Sequence, residues 1–387
     1  MPSNTQCFLC GKRWTPFQFS LVVLICLVLF NEYLIYVFQT MRWPAIPDVN
    51  REDGSSVVIL LVADPQIQGY QTEGSWIGPY ARWDADSYLK KTFSFAAAHT
   101  KPDVVIFLGD LMDEGSRATH DEYRDTYYRF HSIFSNFPSA KRIYIPGDND
   151  VGGEFRDYRT PEKVDRFVKH FEQVDGIVQH GFIDFIKIDT RIQNTMFQEK
   201  EKLFRHYRKS LNSPIHVVIN HESLLPLQFK SPIYPLLAMV SGKLIFSAHW
   251  HKPIAYICDD CMRNDDYSWS VHQRDLTHMH GFMFENITRS AECLTEIMVP
   301  TCSYRMGEPN MGYGVAVLDA KGGLHYGILW NPNRYRVLYS YLMVTLLVIF
   351  VNVVLYCCPA ICKCCCGRRT QFYRSSLKDG IKTLKRF

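Results

Sequence analysis

The sequence has little net charge and carries no pattern that is typical of nucleic-acid binding. Its 387 residues have a formal charge of +4, and much of the basic excess lies in the C-terminal segment 363–386. Such a charge gives no reason to expect a nucleic-acid partner, and no zinc-finger, helix-turn-helix or RNA-recognition pattern is present. Internal repeats and low-complexity stretches are also absent. The length fits one large domain or two ordinary ones.

Two segments are long and apolar enough to cross a membrane as helices, namely residues 17–38 and 337–358. No cleavage site of small residues follows the first segment. The pattern therefore favours an uncleaved signal anchor over a cleaved signal peptide. A buried helix of a soluble domain is the alternative for the second segment. Glu32 is costly inside a span, so we expect it to reach the interface, to pair, or to mark an interruption of the helix.

Basic residues near the second segment predict the orientation of the chain. Eight lysines and arginines follow it between 363 and 386, whereas only Arg334 and Arg336 stand before it. Positive flanks stay in the cytosol, so the tail 359–387 and the N-terminal segment 1–16 are both predicted to be cytosolic. The region between the spans then lies in the lumen of the secretory pathway or outside the cell.

The cysteines fit this division. Four of them lie between the spans, and an oxidising compartment favours disulfides there over a zinc site, because only one Cys-x-x-Cys pair is present. Four cysteines allow three pairings, which stay open. These residues are Cys258, Cys261, Cys293 and Cys302.

Two kinds of modification are suggested by local sequence. A second cysteine cluster, 357–366, adjoins the inner face of the membrane and is a candidate for palmitoylation, with unmodified thiols as the alternative. Asn286 begins an Asn-Ile-Thr triplet on the predicted lumenal side and is a candidate N-glycosylation site.

Residues 39–55 form a linker, and residues 56–332 alternate strand-like and helix-like segments before ending in strands without helices. The apolar run from Val57 to Ala63 is typical of a strand buried on both faces. This alternation predicts an α/β domain whose sheet splits into two packed layers. In such sheets the chemistry lies beyond the carboxyl ends of the strands.

Acidic, amide and imidazole side chains follow five of the predicted strands. Each motif alone is compatible with a turn, a helix cap or a satisfied polar group, but their joint occurrence at strand ends predicts one metal site. Carboxylate and imidazole ligands without thiolates suit Mn, Fe or Zn, and two such ions ~3.5–4 Å apart serve phosphoryl transfer. The motif residues are Asp64, Gln66, Asp110, Asp113, Asp148, Asn149, Asp150, His221, His249 and His251.

These motifs, from residue 57 to 255, resemble those of the calcineurin-like metallophosphoesterase superfamily in order and spacing. The family pattern is Asp-x-His, Gly-Asp-x-x-Asp, Gly-Asn-His-Asp, a lone His and Gly-His-x-His. The stretch Gly109–Gly115 is most similar to a membrane-bound branch that contains a phosphodiesterase for the ethanolamine phosphate of GPI anchors. The resemblance implies a two-layer β sandwich flanked by helices, placed between two transmembrane helices.

The resemblance also implies roles for these residues around two divalent ions, Mn first, with Fe or Zn as alternatives. One ion would take Asp64, His251 and the amide oxygen of Gln66. Asp110 would bridge both ions. The second ion would take the remaining ligands, Asp148, His221 and His249.

Three positions depart from the family pattern. Gln66 replaces a histidine ligand, and Asp148 replaces a neutral asparagine. Asn149 replaces a histidine that contacts the scissile phosphate, and an amide can orient a phosphate oxygen but cannot deliver a proton. Asp113 and Asp150 would hold the other groups in place.

The resemblance therefore implies a phosphodiesterase of the ER or Golgi membrane. Its substrate would be the GPI-anchor glycan of GPI-anchored proteins, remodelled during ER-to-Golgi transport. The alternative from another class is a weakened or inactive lumenal receptor that binds a phosphorylated glycan or cargo, as the changes at Gln66 and Asn149 suggest. A phosphodiesterase for a different lumenal or extracellular substrate is the third hypothesis.

Overall fold

The computed structural model describes residues 16–47, 54–72, 76–154, 156–189, 197–225, 233–261 and 271–357. The chain forms two units, of which the first contains residues up to Ile35 and from Tyr335 onward, and the second is Tyr36–Arg334. The segment 1–15, the middle of the linker and the cysteine-rich tail lie outside the described residues.

The first unit contains most of two long apolar helical stretches. Helix α1 (Pro16–Leu29) continues through a π-helical turn (Phe30–Leu34) into α2 (Ile35–Thr40), and α9 spans Arg334–Cys357. The stretches Pro16–Thr40 and Arg334–Val354 are long and apolar enough to cross a membrane. Their large apolar side chains are mostly exposed, for example Phe350 at 65%, as would be expected if these helices cross a membrane.

Polar side chains within these helices are paired with one another. The amide of Asn31 donates to Ser340 Oγ at 2.7 Å, and the hydroxyl of Tyr341 donates to Glu32 Oε1 at 3.1 Å. The π-helical turn contains Glu32. Glu32 therefore has a hydrogen-bond partner and also lies where the α-helix is interrupted. These are two of the three outcomes that the sequence predicts for it.

The second unit is built on two mixed sheets. The first sheet has the strand order β10-β13-β12-β1-β2-β3, in which β1, β2 and β3 are parallel and β12 runs antiparallel to β1. Its strands are β1 (Ser56–Val62), β2 (Val104–Leu108), β3 (Lys141–Ile145), β10 (Met283–Asn286), β12 (Gly312–Asp319) and β13 (Gly323–Trp330).

The second sheet has the order β4-β5-β6-β7-β11-β8-β9, with β5, β6, β7 and β11 mutually parallel. Its strands are β4 (Gly176–His180), β5 (Ile183–Lys187), β6 (Ile215–Ile219), β7 (Leu244–Ser247), β8 (Ile254–Cys258), β9 (Val271–Asp275) and β11 (Leu294–Met298).

The described helices of this unit connect or follow the strands. They are α3 (Gly78–Thr100), α4 (His120–Ile133), α5 (Asp148–Val151), α6 (Pro161–His170), α7 (Phe197–Arg208) and α8 (Ile233–Val240), with a 3₁₀ turn at Tyr304–Met306. Pro79, in the first turn of helix α3, is pre-organised for a helix start. The helix ends at Lys101, whose φ of 46° is left-handed.

Alternate residues of the two sheets form the main core. Ile59 and Leu61 of β1 belong to the same buried cluster as Val217 of β6 and Phe246 of β7. A second apolar cluster joins the other face of the second sheet to Phe204 of α7. Both faces of β1 are buried, as its continuous apolar sequence predicts. The predicted two-layer α/β architecture is thereby confirmed.

Strands β4, β8, β9 and β10 were not predicted. Strand β9 is mostly exposed and polar, and β4 has no fully buried residue, so neither shows the apolar run of a core strand. Tertiary pairing with neighbouring strands, rather than local propensity, forms them.

The prediction of disulfides among the four cysteines is correct for one pair and wrong for the other two residues. Cys258 and Cys261 are joined by a disulfide, whereas Cys293 and Cys302 are buried free thiols. The thiol of Cys293 donates to the carbonyl of Ile287 at 3.2 Å. Both free thiols are packed as small apolar side chains within the described core.

We expect Ile59→Ala to lower the free energy of unfolding by about 2–5 kcal/mol, because it leaves a cavity between the layers. Ile77 provides a matched control, since it is 45% exposed whereas Ile59 is 0% exposed. Ile77→Ala should change stability by less than about 0.5 kcal/mol. Denaturant unfolding of the purified protein, followed by tryptophan fluorescence, measures both, and equal losses would contradict the two-layer core.

Candidate metal centre

The loops after five strands meet at one end of the two sheets. Asp64 and Gln66 follow β1, Asp110 follows β2, and Asp148 follows β3 in the first sheet. In the second sheet His221 follows β6, and the His-Trp-His segment 249–251 follows β7. Because these strands run parallel within each sheet, their carboxyl ends lie together. The structure thus gathers all seven of the predicted ligand residues.

Unusual backbone conformation marks these loops. Five of the seven have left-handed φ angles although none is glycine: Asp64 (45°), Gln66 (42°), Asp110 (50°), His249 (71°) and His251 (61°). Such conformations persist only where the surrounding contacts enforce them, and they concentrate at functional sites.

Two glycines allow the loops to approach closely. A Cβ on Gly109 would lie 2.4 Å from Nδ1 of His221. A Cβ on Gly147 would lie 1.9 Å from Oδ1 of Asp110. These positions therefore have no room for a side chain, because atoms of the site itself occupy the space.

One half of the site is a tight group of three ligand atoms. Oδ1 of Asp148 lies 3.2 Å from Nε2 of His221 and 3.2 Å from Nδ1 of His249. The two histidine nitrogens are 3.3 Å apart. The carbonyl of Leu108 accepts a hydrogen bond from Nδ1 of His221 at 2.7 Å, which leaves a lone pair on Nε2 directed into the group.

The other half contains Asp64, Gln66, Asp110 and His251. Asp64, Asp110 and His221 offer ligand atoms that all lie within 4.8 Å of one another. Nε2 of His251 lies 4.0 Å from Oδ1 of Asp64. The amide nitrogen of Gln66, rather than its oxygen, faces the site, 3.1 Å from Oδ2 of Asp110 and 3.4 Å from Nε2 of His251.

The remaining predicted residues surround this set. Asn149 donates from its side chain to Oδ2 of Asp110 at 2.9 Å and from its backbone to Oδ1 at 3.0 Å. The Asp150 carboxylate accepts from the backbone N–H groups of Gly147, Leu111 and Met112 at 2.8–3.0 Å, so it ties two ligand loops together. The backbone of Asp113 donates to the carbonyl of Ile67 at 3.0 Å.

Burial changes the protonation of these groups in the metal-free chain. It raises the pKa of Asp64 to about 8 and that of Asp150 to about 7, because a buried carboxylate disfavours its charge. It lowers the pKa of His251 to about 4, with help from the neighbouring imidazoles of His221 and His249. His251 is therefore neutral at pH 7 and keeps a lone pair for coordination.

This arrangement fits divalent cations. Oδ2 of Asp64 is buried and has no hydrogen-bond partner among the described residues. Nε2 of His221 and Oδ1 of Asp148 lie 3.2 Å apart, close enough for one cation to bind both atoms. Oxygen and imidazole donors of this kind suit Mn, Fe or Zn.

Two glutamates that the sequence did not single out support the site. Oε1 of Glu154 lies 3.6 Å from Nε2 of His249, the ring nitrogen that faces away from the other ligands. Glu296 on β11 is fully buried and accepts from the backbone of Leu224 and Leu225 in the loop after His221. Neither residue belongs to a recognisable motif, so only the folded chain places them.

Comparison with known proteins agrees with this geometry. The family model for the calcineurin-like phosphoesterase matches residues 57–253. The chain belongs to this family. Members of the calcineurin-like phosphoesterase family use a dinuclear metal centre, and this chain has Asp and His groups that are able to bind metal.

Two relatives named metallophosphoesterase 1 or its homolog illustrate the similarity within this family. Metallophosphoesterase 1 of Cricetulus griseus is 26% identical over 231 residues, 56% of this chain and 57% of that protein. The metallophosphoesterase 1 homolog of Caenorhabditis elegans is 31% identical over 171 residues, 43% of this chain and 42% of that protein. The alignments thus span about half of each relative.

A solved purple acid phosphatase from yellow lupin (Lupinus luteus) seeds also resembles the chain. The TM-score is 0.45 at 11% identity, and the alignment covers 74% of this chain and 52% of that one.

We expect Gly147→Ala to weaken metal binding at least about tenfold, because the added Cβ would displace the carboxylate of Asp110. It should also cost about 1–3 kcal/mol of stability through overpacking. Gly281→Ala is the control, since a Cβ there meets nothing within 4 Å. Bound metal per protein and thermal unfolding measure the two effects, and equal metal content in both variants would contradict this placement of Gly147.

Proposed function

We propose that the chain is a membrane-anchored phosphodiesterase of the secretory pathway that removes ethanolamine phosphate from the mannose of GPI anchors. The observation that carries the enzymatic part is the convergence of seven carboxylate, amide and imidazole side chains at one end of the two sheets. The similarity to proteins named metallophosphoesterase 1 and the two apolar helices support the membrane-bound part.

The described geometry divides the ligands into two groups. Asp148, His221 and His249 would hold one ion, and Asp64 and His251 would hold the other. Asp110 lies between the groups, 3.6 Å from Nε2 of His221 and hydrogen-bonded to Gln66. Two divalent ions, Mn by preference, would neutralise charge on the phosphate oxygens and supply a nucleophile at neutral pH.

The side chains around the ions orient the substrate. Asn149 is partly buried beside Asp110 and can donate a hydrogen bond to a phosphate oxygen, but its amide cannot protonate the leaving mannose oxygen. The leaving group would then take its proton from water or from the substrate's own amine. General acid help is often worth ~10²–10⁴-fold, so its absence at Asn149 would slow departure of the mannose oxygen.

Location and modification remain part of the proposal. The basic flanks of the second apolar helix support cytosolic termini and a lumenal catalytic unit in the ER or Golgi membrane. Asn286 is exposed at the end of β10, where Thr288 donates to its side-chain oxygen at 2.9 Å. An accessible Asn-Ile-Thr triplet on a lumenal surface would accept an N-glycan.

Asp110→Asn should lower hydrolysis of a generic phosphodiester such as bis-p-nitrophenyl phosphate by at least about 100-fold. Even changes beside a metal ligand cost 10–100-fold in affinity or activity, and Asp110 lies between both groups of ligands. Asp125→Asn on the exposed side of α4 is the matched control and should retain activity. If the wild-type chain binds metal without hydrolysing any phosphodiester, the receptor hypothesis replaces the enzymatic one.

Cells that lack the protein should accumulate GPI glycans with additional ethanolamine phosphate on mannose. Mass spectrometry of released GPI glycans measures this, and re-expression of the wild-type chain, but not of the Asp110→Asn variant, should restore the shorter glycan. Unchanged glycans together with retained phosphodiester hydrolysis would indicate another substrate.

A further inference from the structure

The two halves of the metal centre differ in how completely they are formed. In the group of Asp148, His221 and His249, the three ligand atoms are separated by 3.2, 3.2 and 3.3 Å. Nitrogen and oxygen atoms that bind one ion at ~2.0–2.2 Å must lie within about 4.4 Å of one another. The group therefore has the spacing of a finished site.

Contacts outside this group keep it in that arrangement. The carbonyl of Leu108 fixes the tautomer and ring of His221. The backbone N–H of His249 donates to Oδ1 of Asp64 at 3.3 Å, and its outer ring nitrogen faces Glu154. Asp148 also carries a negative charge where a neutral asparagine would attract a cation less strongly.

The half that contains Gln66 is arranged for hydrogen bonding instead. The Gln66 amide nitrogen lies between two acceptors, Oδ2 of Asp110 and Nε2 of His251, at 3.1 and 3.4 Å. Its N–H groups thus occupy lone pairs that an ion would need. Gln66 is buried, and its backbone donates to the carbonyl of Asp110 at 2.9 Å, so the side chain has little freedom to move aside.

We infer that the two metal positions bind with unequal affinity: the first ion binds at Asp148, His221 and His249, and Gln66 weakens binding of the second. For the second ion to bind, the Gln66 amide must give up two hydrogen bonds and either turn its oxygen inward or withdraw. This inference rests on the proposed function only in taking these residues as the metal ligands.

The test uses the full-length chain in detergent, stripped of metal by a chelator and titrated with Mn²⁺. Isothermal titration calorimetry should resolve one tight equivalent and a second with a Kd at least about tenfold higher. Electron paramagnetic resonance should show an isolated Mn²⁺ signal at one equivalent and a spin-coupled pair only with excess metal. Two equivalents of equal affinity, or a coupled pair from the first addition, would overturn the inference.

Gln66→His should tighten the second equivalent at least about tenfold, because an imidazole supplies a lone pair where the amide presents N–H groups. The first equivalent should keep its Kd, which also reports that the variant is folded. Gln71→His, at an exposed position of the same loop, is the control and should change neither Kd. An unchanged second Kd in Gln66→His would overturn the inference.

Gln66→Ala separates two roles of the amide. If its N–H groups oppose the second ion, removing them should lower that Kd, and an unchanged Kd would show that they do not oppose it. If the amide oxygen is a ligand, the second Kd should rise at least about tenfold, and the inference would be wrong. A chain that binds no metal at any concentration would instead refute the proposed function, whereas equal sites with retained hydrolysis would refute only the inequality.

Discussion

The structure depends on one constraint: carboxylates and imidazoles are crowded together in a buried site. Asp64, Asp110 and Asp148 are nearly inaccessible to solvent, and Oδ1 of Asp148 lies 3.2 Å from Nε2 of His221. Burial opposes the charge of Asp64 strongly enough to raise its pKa to about 8. Burying such a set does not stabilise the fold, because burial of charge costs free energy. Divalent cations would neutralise the buried carboxylates, and they are also the ions that serve phosphoester hydrolysis.

The rest of the fold holds this unfavourable set together. Parallel strands bring the ligand loops to one end of each sheet. The core of Ile59, Val217 and their neighbours packs the two sheets together. Asp150 binds three backbone N–H groups of two loops, while Glu296 binds the loop after His221. The backbone is left-handed at five ligand positions. This strained conformation persists because the surrounding contacts hold it in place.

The sequence was sufficient to predict which side chains gather at the strand ends but not their orientation. Apolar runs ending in Asp64, Asp110 and His221 specify strands and strand ends, because hydrophobic periodicity and charge are local properties. The direction of the Gln66 amide, the left-handed φ angles and the contributions of Glu154 and Glu296 arise from contacts between segments distant in the chain. The polar strand β9 and the free thiols of Cys293 and Cys302 were missed for the same reason, since neither follows from local composition.

The departures at Gln66 and Asn149 are connected through Asp110. Both amides donate to Oδ2 of this carboxylate, at 3.1 and 2.9 Å, and the backbone of Asn149 donates to Oδ1. A neutral amide, unlike an imidazole, offers no ring nitrogen that could accept a proton. The amides of Gln66 and Asn149 instead donate hydrogen bonds to the carboxylate of Asp110. The anionic Asp148 then adds attraction for a cation on the opposite side of Asp110. The three substitutions together therefore shift charge toward the Asp148–His221–His249 group, which is the half whose spacing already suits an ion.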